Sequence, residues 1–225
     1  MVDHDAVIPQ IRDGVFFTIP EAIPRGRHSL DRAEVQQRQR DRLLIATTEL
    51  LAAHGAKAIG PADIAGRAGV SLAAFYECFE SKEQCIFAGY DCFIGVLLGQ
   101  LLAVDVDALT RAELVHALLG AYIDTLQSDL VVARAYQVEI DALGPIARER
   151  RRNSLRLFAH HLREVAERKQ EDGLRPLALP DSAYIGIVYA TRQLTSDELD
   201  LVADPDLSGL RADLATWLSD TFRDQ

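Results

Sequence analysis

PADIAGRAGVSLAAFYECFESKEQ, residues 61–84, reads as two short helices and the capped start of a third. Pro61 stands at a first helical position, where a fixed φ helps and no N–H is needed. Gly69 closes that helix after two turns, and Ser71 is placed to cap the next one. Ser81 and Gln84 have the spacing of a capping box. Two short helices joined by a three- to four-residue turn containing Gly form the helix-turn-helix pattern. Its geometry requires Ile64, Ala65, Ala68, Val70 and Phe75 to hold the helices at a fixed angle. Ala65 and Gly69 must be small because the backbones approach closely there. The second helix can then offer its N-terminal residues to base edges in a major groove.

Helical periodicity extends in both directions. Upstream, Asp31 and Glu34 have capping-box spacing, and apolar Val35, Leu43, Ile45 or Ala46, Leu50 and Ala53 follow until Gly55. Residues 1–30 contain Pro9, Pro20 and Pro24 and read as an irregular arm, with a short extended piece at GVFFTI. Downstream, the helix opened by Ser81 runs to about residue 104, and further helices are expected at about 110–127, 130–142, 145–171, 182–200 and 206–222. No segment after the arm alternates like a strand. The expected fold class is all-α: an arm at 1–30, a three-helix head at 31–82 and a helical body at 83–225.

A formal charge of −10 over 225 residues argues against nucleic acid until it is mapped. Residues 25–82 carry nine Lys or Arg against seven acids, whereas residues 83–225 carry fourteen against twenty-three. The helix-turn-helix therefore lies in the one net basic segment. No apolar run approaches the roughly 18 residues of a membrane span. The N-terminus lacks the basic and apolar regions of a signal peptide, so no membrane and a cytoplasmic location are expected. The three cysteines, Cys78, Cys85 and Cys92, are odd in number and read as buried small hydrophobes.

The run DIAGRAGVSLAAFYECFESKEQC, preceded by RDRLLIATTELLAAHGAKAIG, resembles the TetR family of transcriptional regulators. The resemblance rests on the F-Y-x-x-F-x-S-K-E signature, and the all-helical remainder is similar to the family in layout. It implies a homodimer with a DNA-binding head and an effector-binding, dimerising body. Tyr76 matches a tyrosine that contacts the DNA backbone, and Lys82 a lysine that meets a phosphate. Pro61 and Ala62 match a contact region at the start of the second helix. Leu72 departs from the polar or basic residue often found there, and Cys78 from a common backbone-contacting residue. Leu72, Ala73 and Ala74 can touch thymine methyls, and Glu77 can accept from cytosine N4. With Ser71, Arg38 and Arg42, these complete the expected DNA-facing set. The Arg25–Arg27 arm is a candidate for a minor groove, with a solvated tail as the equal alternative.

In the body, aromatic and polar residues punctuate apolar helices, a pattern suited to a small lipophilic effector. Phe93, Tyr122, Tyr136, His160 and Tyr184 are the candidates, with ordinary core packing the competing expectation for each. Gly89, Gly95, Gly99 and Gly120 inside helices leave room for close packing or a cavity. Tyr189, Leu207, Leu210, Leu214 and Trp217 are candidates for a dimer interface, the alternative being the core of one subunit. His160 and His161 point about 100° apart on a helix and do not form a metal site. The run RERRRNSLR reads as a solvated helix face or as a contact for an anionic effector. No GxSxG, HExxH, Cys-x-x-Cys or glycine-rich phosphate loop is present, so neither an enzyme nor a cofactor is expected. The leading reading is a ligand-responsive repressor that binds operator DNA. The alternative is a helical sensor whose head has lost specific DNA binding.

Overall fold

Apolar residues at three- and four-residue spacing dictate helices along most of the chain. The structure is a computed structural model that describes residues 8–21, 31–171 and 179–223. Among these lie α1 Arg32–His54, α2 Pro61–Ala68, α3 Leu72–Cys78, α4 Lys82–Leu102 and α5 Arg111–Ser128. They are followed by α6 Leu130–Gln137, a 3-10 turn Glu139–Leu143, α7 Pro145–Glu171, α8 Asp181–Leu201 and α9 Ser208–Arg223. The described residues contain no β-strand. The piece expected to be extended at GVFFTI is a turn, marked by an isolated bridge between Asp13 and Phe17. The Arg25–Arg27 segment lies outside the described residues.

Caps set the boundaries of the head helices. Asp31 accepts from Glu34 N–H and Glu34 reaches back to Asp31 N–H, both at 2.8 Å, completing the capping box of α1. Ser81 Oγ accepts from Gln84 N–H at 3.1 Å, while the Gln84 side chain accepts from Glu80 N–H at 2.6 Å. The expected helix at 130–142 is instead α6 followed by the 3-10 turn, whose tighter winding keeps Ile140 fully buried before Gly144 turns at φ +84°.

α4 is long and apolar enough to cross a membrane by composition, which the sequence reading did not anticipate. Its side chains account for that hydrophobicity differently. Cys85, Ile86, Phe87, Tyr90, Phe93, Leu97 and Leu101 are buried within this chain, and the remaining side chains of the helix are partly or fully exposed.

Internal packing divides the chain into two compact units, residues 1–93 with 128–144, and residues 94–127 with 145–225. This division cuts α4 and places α6 with the head helices, unlike the sequence boundary at residue 82. In the first unit α1 packs against α2, α3 and α6. Leu43, Leu51, Ile64, Phe75, Phe79 and Ile86 are its fully buried core. Thr48 Oγ1 donates to Leu44 O and lies 2.8 Å from Tyr136 Oη. A hydroxyl has one proton, so Tyr136 donates to Thr48. Tyr136 also packs against Tyr90 and Phe93, and Phe93 against Phe16. Gly89 allows this arrangement, because a Cβ there would collide with the Tyr136 hydroxyl.

In the second unit, Val106, Leu114 and Val165 form a core cluster flanked by Val104, Leu109 and Leu118. α7 and α8 pack side by side. Gln127 ties the approach to α9, donating to Pro205 O at 3.0 Å and accepting from Leu207 N–H at 2.8 Å. Arg211 reaches both oxygens of Asp124 at 2.7 Å.

Cys85 is buried, beside Thr47 at 3.1 Å, and burial pushes its thiol up to about 12. Cys78 is half-buried and Cys92 exposed, so only one of the three cysteines matches the expectation of full burial. Gly89→Ala should force Tyr136 away from Thr48, costing about 1–3 kcal/mol in chemical denaturation. A midpoint unchanged from wild type would contradict this packing.

Candidate nucleic-acid interface

The α2–α3 angle begins in the backbone. Gly69 takes the left-handed conformation at φ +64°, ψ 37°, which a side chain would disfavour. Its N–H donates to Gly66 O at 3.1 Å, and Val70 N–H to Ala65 O at 3.0 Å, closing α2 with a Schellman-like pair. Ser71 Oγ then accepts from Ala74 N–H at 3.1 Å and starts α3. Ile64, Ala65, Ala68 and Phe75 face inward and are buried, as the pattern required.

The outward face carries Ala62, Ser71, Leu72, Ala73, Tyr76 and Glu77. Tyr76 is 54% exposed and Leu72 44%, a large apolar commitment to solvent for a helix of two turns. Ser71 accepts through its oxygen at the cap, and its O–H stays available to donate. Ala74 does not belong to this face: it is buried beside Phe75, one helical step of about 100° from Ala73. On this helix start, only Leu72 and Ala73 of the three expected apolar residues are exposed.

The cations around this face are more committed than their sequence positions suggest. Lys82 Nζ donates to Ala56 O at 2.8 Å and to Ile59 O at 2.9 Å, clamping the α1–α2 loop. One of its three N–H groups is left for a phosphate. Arg38, half-buried, lies 3.6 Å from the exposed Glu21 carboxylate. Arg42 places Nη2 beside Gly69, 3.3 Å from where a Cβ would stand. Arg40 stacks on the Phe79 ring at 4.4 Å and reaches Cys78 O at 3.4 Å, holding the end of α3. Gln36, which the sequence reading passed over, donates to Glu77 O at 3.4 Å from α1. Nothing in its local pattern distinguished it from its glutamine neighbour.

The expected effector residues divide between the two units. Phe93 and Tyr136 are core residues of the first unit, almost fully buried in its aromatic cluster. Tyr122 Oη lies 3.5 Å from Thr195 Oγ1 in the second unit. His160 and Tyr184 share a cleft of about 140 Å³ between α7 and α8 that Arg156, Arg163 and Asp181 also line. There His160 Nδ1 is 3.2 Å from Arg163 Nη2, and its Nε2 is 3.2 Å from Glu164. Arg148, Arg152 and Arg156 of the basic run are exposed. Among the expected dimer residues, Leu207 and Leu214 are buried within this chain by its own helices, and Tyr189 and Leu210 are half-buried. Trp217, 44% exposed, remains available, alongside Leu194 and Leu201 of α8.

Residues 43–88, which span most of α1, all of α2 and α3 and the start of α4, match the model of the tetR family of bacterial regulatory proteins. That segment of the head is similar to the family's DNA-binding domain. Beyond it, the likeness is one of fold. The structure of the fatty acid degradation regulator FadR from Bacillus halodurans is 20% identical, covers 83% of this chain and 97% of its own, and superposes with a TM-score of 0.73. FadR from Bacillus subtilis, solved in complex with stearoyl-CoA, is 17% identical over 79% of this chain and 96% of its own, with a TM-score of 0.69. A TetR-family regulator from Rhodococcus sp. is 14% identical over 81% and 97%, at 0.67. No curated protein sequence matches the chain. Tyr76 and Lys82 lie within the matched segment, and the geometry around Lys82 gives it a structural duty. Lys82→Met should lower unfolding free energy by about 1–3 kcal/mol through the two carbonyls it abandons. Denaturation in the absence of DNA measures this directly, and an unchanged stability would show the clamp to be idle.

Proposed function

We propose that this chain is a ligand-responsive transcriptional regulator that acts as a homodimer and represses by occupying operator DNA. The observation that carries the reading is the projection of Leu72, Ala73 and Tyr76 from a tetR-family helix-turn-helix in the one net basic segment. The head at 31–82 reads DNA and the body at 83–225 binds the effector and the second copy. Trp217, Leu194 and Leu201 are the apolar groups offered to that copy. A dimer presents two α3 helices to successive major grooves about 34 Å apart. An effector that binds better to a different spacing lowers DNA affinity by its differential binding to the two states. The protein is a binding protein rather than an enzyme, located in the cytoplasm.

The effector class is lipophilic. The likeness to a FadR solved with stearoyl-CoA makes a long-chain acyl thioester the first compound to try. Within the head, Leu72 and Ala73 contact thymine methyls, Ser71, Tyr76 and the remaining N–H of Lys82 hold phosphates, and Arg38 and Arg42 flank them. The clamped state of Lys82 and the absence of side-chain donors at residues 72–74 favour a second reading, a sensor with weak sequence-blind DNA binding.

Fluorescence anisotropy with DNA from upstream of the protein's own gene separates the two. Specific binding should weaken by about a factor of ten or more between 50 and 200 mM salt. Leu72→Ala should cost about 1–2 kcal/mol on that DNA and nothing on unrelated DNA. Stearoyl-CoA should release the complex. Equal, weak binding to every sequence would favour the sensor.

A further inference from the structure

Two N–H groups that are adjacent in sequence end on two buried carboxylates from different helices. Ile11 N–H donates to Glu49 Oε1 at 3.2 Å, and Arg12 N–H to Asp129 Oδ2 at 2.7 Å. Glu49 lies on α1, and its other oxygen holds Arg67 of α2, with Nε at 2.8 Å and Nη2 at 2.7 Å. Asp129 caps α6, its Oδ1 accepting from Val131 and Val132 N–H at 3.1 Å each. Glu49 is 6% exposed and Asp129 1%, so water is a poor substitute for either set of partners. Burial pushes the Asp129 carboxyl above its usual range, and the three N–H groups pull it back.

The surrounding segment is built to stay in place. Gly14 N–H donates to Phe17 O at 2.9 Å, and Asp13 accepts from Ile19 N–H at 2.7 Å, fixing a compact turn. Ile11, Phe16 and Phe17 are buried, and the Phe16 ring lies 5.4 Å from that of Phe93. Phe93 in turn packs on Tyr136 of α6. The arm expected to be irregular is, over residues 8–21, a docked part of the first unit.

We propose that residues 8–21 are an intrachain strap that couples α6 to α2, through Arg12 on the Asp129 cap and Ile11 on the Glu49–Arg67 pair. The neighbouring peptide units cannot leave one carboxylate without disturbing the other. α6 is joined by the backbone at both ends to body segments, so a rearrangement of the body that draws on α6 loads the strap. The load is felt at Arg67, which holds the first helix of the reading motif. The regulatory consequence rests on the DNA-binding reading, whereas the coupling does not.

Hydrogen exchange on the full chain tests the coupling. Asp129→Asn keeps a capping oxygen for α6 but puts an NH2 opposite the Arg12 N–H. Arg12→Pro removes that N–H and leaves the cap intact. Both variants should speed exchange about tenfold in residues 129–138 and in residues 61–70, and leave residues 208–221 at the wild-type rate. Faster exchange confined to residues 129–138, no change in either segment, or acceleration everywhere including residues 208–221 would each overturn the strap. Anisotropy with the upstream DNA runs in parallel: the variants should bind several-fold more weakly. A wild-type chain that binds no DNA removes the DNA reading, and the exchange result still judges the strap.

Discussion

A buried hydrogen bond inside an aromatic cluster joins α6 to α1, and much of the first unit is arranged around that contact. Tyr136 donates to Thr48 while its ring lies among Tyr90 and Phe93. The bond is possible because Gly89 has no Cβ and because Thr48 spends its own proton on Leu44 O. Phenol burial of this kind is tolerated only when the hydroxyl has a partner. The consequence is that a segment far along the chain, residues 128–144, belongs structurally to the head.

The head itself separates holding from reading. Glu49 with Arg67, Arg40 on Phe79, and Lys82 on two loop carbonyls all use charge to fix helices rather than to display it. What remains outward on α3 is apolar or aromatic, with Ser71 and Glu77 as its polar members. A surface of this kind recognises methyl groups and groove shape more readily than donor and acceptor patterns. The acidity of the chain does not oppose this, since it is concentrated after residue 82.

The helix-turn-helix was legible because it is local. Pro61, Gly69 and Ser71 act on their own backbone, and Ile64, Ala65, Ala68 and Phe75 repeat at helical spacing, so pattern alone places them. Caps at Asp31 and Ser81 were legible for the same reason. Ala74 was misplaced because adjacent positions on a short helix differ by one rotation, and only the packed neighbour decides which side is inside. The effector and dimer candidates fared less well. Phe93, Tyr136, Leu207 and Leu214 have the composition of pocket or interface residues, and composition does not distinguish these from core.

Residue order alone therefore determined an all-α fold class, the position of the helix-turn-helix and the charge division between head and body. Each of these follows from spacings of a few residues. Tertiary structure alone decided that residues 8–21 dock on Glu49 and Asp129, that α6 joins the head, and that Lys82 is clamped. The docking and clamp contacts join residues 23 to 117 positions apart, through backbone N–H and C=O groups that nearly every residue carries alike. No side-chain pattern announces which of those groups will meet a buried carboxylate or an ammonium.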